Sequence, residues 1–293
     1  MTTILVAYQP LIDQIVIACL LALSQYVVLR AGIFSLASAS LACIAAYVAA
    51  ILTVTYGLHP GLAFMAAVAA GCLCALVLSV AIARIRGVFQ AIATLAFAQV
   101  VIALALWDER LTGGAMGFNG IPKTAQTLHL VIVLAVAVYI VHAVGRSSFG
   151  RAFDTMRQDE TVAVSLGISV SFHISLAFAI SGALAGAAGS LVALNSFSLV
   201  PEQFGFALLV STLASVVIGG RIAVAGPLVG ALVLTLIPEF SRQFQDYRMF
   251  VYGLILLLSM IYLPEGIADT IRHKLRIRRE TALRDGARAG EVR

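Results

Sequence analysis

Chemistry inside so apolar a chain would need a nucleophile with a base, a set of metal ligands or a pair of carboxylates. The five histidines, His59, His129, His142, His173 and His273, are scattered, none within five residues of another, and no His-Glu-x-x-His occurs. Asp13 is the one acid well inside an apolar segment, so a carboxylate dyad cannot be assembled. A charge at that depth is a functional candidate by default, although a place near the start of the first segment also lets it reach the membrane surface. Cys19, Cys43, Cys72 and Cys74 lie in apolar segments and complete no metal site, so they read as buried structural thiols. No Gly-x4-Gly-Lys-Ser/Thr phosphate loop is present, and the only lysines, Lys123 and Lys274, follow no glycine loop. An intramembrane enzyme is not supported, no cofactor is expected, and any pumping must draw on an ion gradient or on another chain.

The elements that carry these residues follow from composition. Of 293 residues, 61% are hydrophobic and 11% charged, and the mean hydropathy is +1.02; soluble domains sit near about 45–50% and 25%. So few charges could not cover a soluble fold with a core this large. At about 20 apolar residues per transmembrane helix, the apolar pool suffices for roughly eight or nine. Continuous runs such as 128–144 and 251–263 lack the two-residue alternation of a membrane β-barrel. The expected fold class is all-α, a polytopic helical membrane protein of about 8–10 transmembrane helices with a cytoplasmic helix besides.

Apolar runs and their breaks place nine segments at 11–29, 33–54, 61–83, 88–107, 126–144, 172–194, 206–219, 224–237 and 249–263. The seventh and eighth are short, separated by Gly219-Gly220-Arg221 and interrupted by Gly226-Pro227, and read as tilted, broken or re-entrant. Met1-Thr2-Thr3-Ile4 carries no basic region, so the first segment is expected to be a retained helix. Eight Lys or Arg after Pro264 put the C-terminus in the cytoplasm by the positive-inside rule. Counting back puts Arg84, Arg86 and the loop with Arg146, Arg151 and Arg157 on that side. The loop 108–127 is left outside, and so is 238–248 with Arg242 and Arg248. If the short pair is one re-entrant unit, the count becomes eight and the N-terminal half flips relative to the tail. Two regions are expected: a membrane domain over 1–266 and a basic cytoplasmic tail over 267–293. Trp107, just before Asp108, suits the membrane interface. The net charge of +5 is concentrated in the tail, where attraction to anionic lipid accounts for it, and no nucleic-acid partner is expected.

The segment 145–169 is the most informative. Phe149, Phe153 and Met156 recur at helical spacing, Val162, Leu166 and Ile168 extend an apolar face, and Arg151, Asp154, Arg157 and Asp159 take the other sides. Gly167 supplies a helix stop. Such a helix either enters a groove on a soluble partner or simply links two spans along the interface; periodicity leaves both open. Elsewhere, Gly182-x3-Gly186 with Gly189, and Gly226-x3-Gly230, would let helices approach closely in lipid. Gln90, Thr94 and Gln99 share a rough helical face and would seek helix partners or a water-filled path. Gly113 and Gly114 belong to a flexible outside loop that reads equally as a pathway entrance or an ordinary turn.

The run Gly150-Arg151-Ala152, Arg157-Gln158-Asp159-Glu160 and Leu166-Gly167-Ile168 resembles the cytoplasmic coupling loop of permease subunits of branched-chain amino-acid ABC importers (LivM-type). The stretches 87–98, 111–118, 201–206 and 219–231 match the same family in the same order, so the likeness runs from about Ala31 to Gly266. It departs at Gln90, where an aromatic residue is expected, and at Thr161-Val162-Ala163, which replaces a more alanine-rich stretch. The resemblance implies a bacterial inner-membrane permease, itself no enzyme. It would pair with a second, similar membrane subunit, above two ATP-binding subunits and below a periplasmic substrate-binding protein. By the same resemblance, Gly150 to Gly167 form one coupling helix seated in a cleft of the ATPase. Gly150, Arg151, Arg157, Asp159, Glu160 and Gly167 would set its register and ends, and Phe153 or Met156 would supply the apolar anchor. Gln90, Thr94, Gln99, Gly113, Gly114, Gly219, Gly220 and Gly226 are the pathway or gate candidates. A sugar-importer permease would keep the coupling loop and change the cargo. An ion-coupled transporter acting alone would need inverted repeats and buried midplane charges, which the sequence does not display.

Overall fold

The computed structural model describes residues 2–240 apart from Ile222, together with Gly253, and side chains from residue 8 onward to 239. The ninth expected segment at 249–263, Arg242, Arg248 and the basic tail 267–293 lie outside the described residues. In chain order the helices are α1 (Thr2–Arg30), α2 (Ser38–Val54), α3 (Pro60–Ile82), α4 (Val88–Trp107), α5 (Glu109–Thr112), α6 (Thr127–Arg146), α7 (Ser148–Gln158), α8 (Glu160–Ser165), α9 (Val170–Asn195), α10 (Phe206–Gly219) and α11 (Ala225–Phe240). Leaving aside short α5, α7 and α8, these overlie the first eight expected segments. Among the described residues six helices are long and apolar enough to cross a membrane, α10 with its preceding 3-10 turn Pro201–Phe204 counting as one.

Backbone contact at glycines builds the centre. A Cβ added to Gly182 would run into the Gly71 carbonyl and Ala75 of α3, and one on Gly189 into the Ala42 carbonyl of α2. With no hydrophobic drive between helices in lipid, such close approach maximises dispersion contact. Helix α9 therefore packs along α3, α2 and α1, and Phe178, Ala185, Ala188 and Leu191 are buried there. The membrane-spanning window of α9 is 72% buried and that of α6 only 17%. Leu73, Val77, Phe89, Ile92 and Val136 on α3, α4 and α6 face outward, as lipid-facing residues do. Cys19 and Cys43 are buried, whereas Cys72 and Cys74 are only half-buried.

Three local expectations need correction. Helix α2 begins at Ser38 rather than near residue 33. Gly32, at φ +83°, ends α1, and residues 31–37 run non-helically between helices. Their polar backbone finds partners in protein, the condition for irregular chain at membrane depth: Gln25 Nε2 donates to the Ser35 carbonyl (2.5 Å) and the Leu36 N–H to Thr94 Oγ1 (2.9 Å). Gly226-Pro227 does not interrupt the eighth segment but lies in the first turn of α11, where a proline's missing N–H breaks no helical bond. The loop after α4 is not a free flexible excursion. Its β1 (Phe118–Asn119) pairs antiparallel with β2 (Ser198–Leu199), Phe118 opposite Leu199, and Gly113 and Gly117 turn the chain into that ladder at φ +75° and +74°.

The ends of α1, α3 and α6 and the starts of α4 and α9 gather with α7 and α8 at one end of the bundle. Arg84, Arg86, Arg146, Arg151 and Arg157 thus share an end, as their charge implied, and Arg30 joins them. The β ladder and the loop 108–127 lie at the opposite end.

Candidate functional site

The segment expected to form one helix from Gly150 to Gly167 is two. Asp159 sits in extended conformation (φ −157°, ψ 117°), and its Oδ1 accepts from the N–H groups of Thr161 (2.7 Å) and Val162 (3.2 Å), capping a new helix, α8. Those two N–H groups favour the charged form and hold the Asp159 carboxyl below its ordinary range. Gly167, at φ +79° with open space around its Cα, follows the end of α8.

Burial reverses the expected anchor. Phe153 is 1% exposed and Met156 8%, both turned into this chain's own membrane helices. Phe153 lies edge-on to His173 of α9 (centroids 6.2 Å apart) and beside Tyr26 and Val141 of α1 and α6. Buried Gly150 lets α7 turn back on α6, since a Cβ there would strike the Val144 and Gly145 carbonyls. The outward apolar residues are instead Phe149, Val162, Val164 and Leu166, beside exposed Arg151, Arg157 and Gln158. Helical spacing identified the apolar stripe; it could not tell whether the stripe faced this chain or another.

Two ion pairs and one backbone contact hold this surface to three membrane elements. Arg30, ending α1, donates from Nε and Nη2 to the two carboxylate oxygens of Asp154 (3.1 and 2.9 Å), and Nη2 also reaches the Gly145 carbonyl (3.2 Å). A two-pronged pair of this kind fixes orientation as well as distance. Arg86, between α3 and α4, donates to Glu160 Oε1 from Nη2 (2.6 Å) and Nε (3.0 Å). At the turn after α1, a Cβ on Gly32 would lie 3.0 Å from the Arg157 Cα, so backbone meets backbone there. Arg30 and Arg86 were not among the sequence candidates, because partners 124 and 74 positions apart leave no spacing signal.

The contact continues inward. Beyond Gly32, Ser35 and Leu36 bond to Gln25 and Thr94, and Ser38 Oγ donates to Gln25 Oε1 (2.9 Å). Gln90 Nε2 donates to the Ile85 carbonyl (2.7 Å), and Thr94 Oγ1 donates back to the Gln90 carbonyl (2.9 Å). Gln90 and Thr94 are buried together, but Gln99 is exposed. Nine positions are about two and a half helical turns, which places Gln99 on the opposite face and corrects the expectation of one shared face. A cavity of about 310 Å³ among Gly32, Arg86, Gln90, Met156 and Glu160 lies where the α7–α8 surface meets the buried cluster.

The remaining candidates lie elsewhere. Gly113 and Gly114 turn the chain at the end opposite α7. Gly219, Gly220 and Gly226 are buried where α10 and α11 pack; a Cβ on Gly219 would enter the Gly226 carbonyl, and one on Gly230 the Ser215 carbonyl. Only Gln90 and Thr94 of the pathway group are brought near the α7 group.

Residues 10–260 match the family described as branched-chain amino acid transport system / permease component. The chain is 32% identical to the high-affinity branched-chain amino acid transport system permease protein LivM of Escherichia coli (strain K12), over 89% of this chain and 68% of that protein. It is 30% identical to LivM of Salmonella typhimurium, over 84% of this chain and 66% of that one. A probable branched-chain amino acid transport permease protein LivH of Methanocaldococcus jannaschii is 25% identical over 55% and 52% of the two chains. The chain thus spans about two thirds of the length of the LivM proteins it matches. No solved structure matches it.

Proposed function

Because the chain belongs to the family of branched-chain amino acid transport system permease components, we propose that it is the passive membrane half of an ATP-driven importer of hydrophobic amino acids. It is a multi-pass membrane permease component and not an enzyme. In this reading it sits in the bacterial inner membrane with α7 and α8 in the cytoplasm and the β ladder outside. A second permease subunit completes the pathway, two ATP-binding subunits dock beneath α7 and α8, and a binding protein delivers the amino acid from outside.

One observation carries the reading. The amphipathic α7 is clamped on its inner side by Asp154 to Arg30 and by buried Phe153 and Met156, while Arg151, Arg157, Val162, Val164 and Leu166 are exposed on the other. A motor pushing that exposed face would move the end of α1, the turn at Gly32 and the start of α4 together, because all three are fastened to it. Rigid elements passing a displacement from one site to another are the physical substance of such coupling.

Reconstitution tests the proposal. In vesicles the chain alone should neither hydrolyse ATP nor accumulate leucine. With the second permease subunit, the ATPase subunits and the binding protein, leucine should accumulate at the expense of ATP. Accumulation against a gradient by the chain alone overturns the proposal.

A further inference from the structure

At the end of the bundle opposite α7, a cavity of about 890 Å³ opens between α1, the segment leading into α6, the end of α9 and the start of α10. Its size falls within the roughly 300–1,000 Å³ of small-molecule sites. Its lining combines three chemistries. Asp13 contributes a carboxylate, Lys123 an exposed ammonium, and Leu21, Phe204 and Leu208 an apolar wall.

Asp13 is the anomaly. It is only 8% exposed, inside the apolar α1. Oδ2 accepts a hydrogen bond from Asn195 Nδ2 at 3.1 Å, but Oδ1 is buried with no hydrogen-bond partner among the described residues. Leaving such an acceptor unpaired costs a large part of its desolvation. Among the described residues no cation lies within ion-pairing distance of it: the salt bridges there are Arg30 with Asp154 and Arg86 with Glu160.

We propose that Asp13, oriented by Asn195, binds the ammonium group of an amino acid held in this cavity, with Lys123 toward the carboxylate and Leu21, Phe204 and Leu208 around an aliphatic side chain. The proposal rests on the reading of the chain as an amino-acid permease and assigns the residues that would read the cargo. Charge and apolar surface in one cavity select a zwitterion with a hydrophobic side chain over a neutral sugar, which would leave both charges unpaired.

The test uses the complete membrane assembly purified without its binding protein, so that bound leucine sits on the membrane assembly itself. Tritiated leucine should bind, and unlabelled leucine should displace it at least ten-fold more effectively than 4-methylpentanoate, which lacks only the ammonium group. Asp13→Asn should weaken leucine binding at least ten-fold, and Asp13→Glu should recover part of the loss. The subsite is overturned if leucine does not bind, if 4-methylpentanoate competes equally, or if Asp13→Asn binds as the parent does. The competition on the unaltered assembly decides the matter even if the Asn variant fails to assemble. Loss of ATP-driven leucine uptake by the unaltered complete transporter would instead overturn the transport reading.

Discussion

Arg30 and Asp154 face each other through two parallel hydrogen bonds, 3.1 Å from Nε to Oδ1 and 2.9 Å from Nη2 to Oδ2, joining the last residue of α1 to the middle of α7. The arginine is largely enclosed (14% side-chain exposure) and the aspartate less so (40%), so solvent screens part of the attraction. A double-mutant cycle with Arg30→Gln and Asp154→Asn, read by leucine uptake per ATP hydrolysed, should give a coupling energy of about 1 kcal/mol. Strictly additive losses would show that the pair does not act as one link.

Arg86 and Glu160 are both more than 40% exposed, so their ion pair should matter for coupling and little for folding. Glu160→Gln should change unfolding stability by less than about 0.5 kcal/mol and lower uptake roughly five-fold. Unchanged uptake would remove the link assigned between α8 and the α3–α4 turn.

Glycine substitutions separate packing from turning. Gly189→Ala pushes a methyl group into the Ala42 carbonyl and should destabilise the fold by about 1–3 kcal/mol in a detergent melt. At Gly167 nothing lies near, and only the positive φ opposes a side chain, so Gly167→Ala should cost about 1–2 kcal/mol, confined to the end of α8. Equal global destabilisation by both would contradict the assignment of a central seam at Gly189.

The buried amide of Gln25 holds the irregular stretch after α1. Gln25→Leu leaves the Ser35 carbonyl and the Ser38 hydroxyl without their partner and should cost about 1–3 kcal/mol. Thr94→Val, which removes the acceptor of the Leu36 N–H, should cost a similar amount. Both are checked by thermal unfolding, and a neutral result at both would show that another group replaces these bonds.

Asp159 sets a pH response with a definite sign. Its folded pKa lies below the ordinary 3.8, so its cap on α8 is fully present above that value and is lost as pH falls through the lower folded one. Hydrogen exchange at Thr161 and Val162, corrected for intrinsic rates, should be flat from about pH 5 to 8. It should rise only in stronger acid, whereas Asp159→Ala should raise it already from about pH 5 to 8. A transition near neutrality would point to another group.

Much of the architecture was legible from apolar run lengths, because a helix that satisfies its own backbone is almost the only open-chain solution in lipid. Eight of nine segments could be compared and all eight are helices. The local misses have specific causes. Ser35 is apolar-compatible enough to read as helix, yet the bonds of Ser35 and Ser38 to Gln25 hold a non-helical stretch before α2. Asp159 read as one more charge on a helix face, yet its bonds to two N–H groups start a new helix. The β1–β2 pair joins residues about 80 positions apart in two-residue strands, too short for any alternation to register.

The surface of α7 and α8 divides along the same line. Composition and spacing were enough to establish that the chain lives in lipid and that 145–169 carries an amphipathic stripe with basic flanks, since both are properties of neighbours along the chain. Packing alone decided that Phe153 and Met156 face inward, that α9 lies at the centre and α6 at the rim, and that Arg30 reaches Asp154 while Asp13 is left with one unpaired oxygen. In a hydrocarbon solvent every face of a span is apolar, so hydropathy does not mark which face meets protein. That choice is made by backbones that close at Gly182 and Gly189 and by the few polar groups that must find each other across the fold.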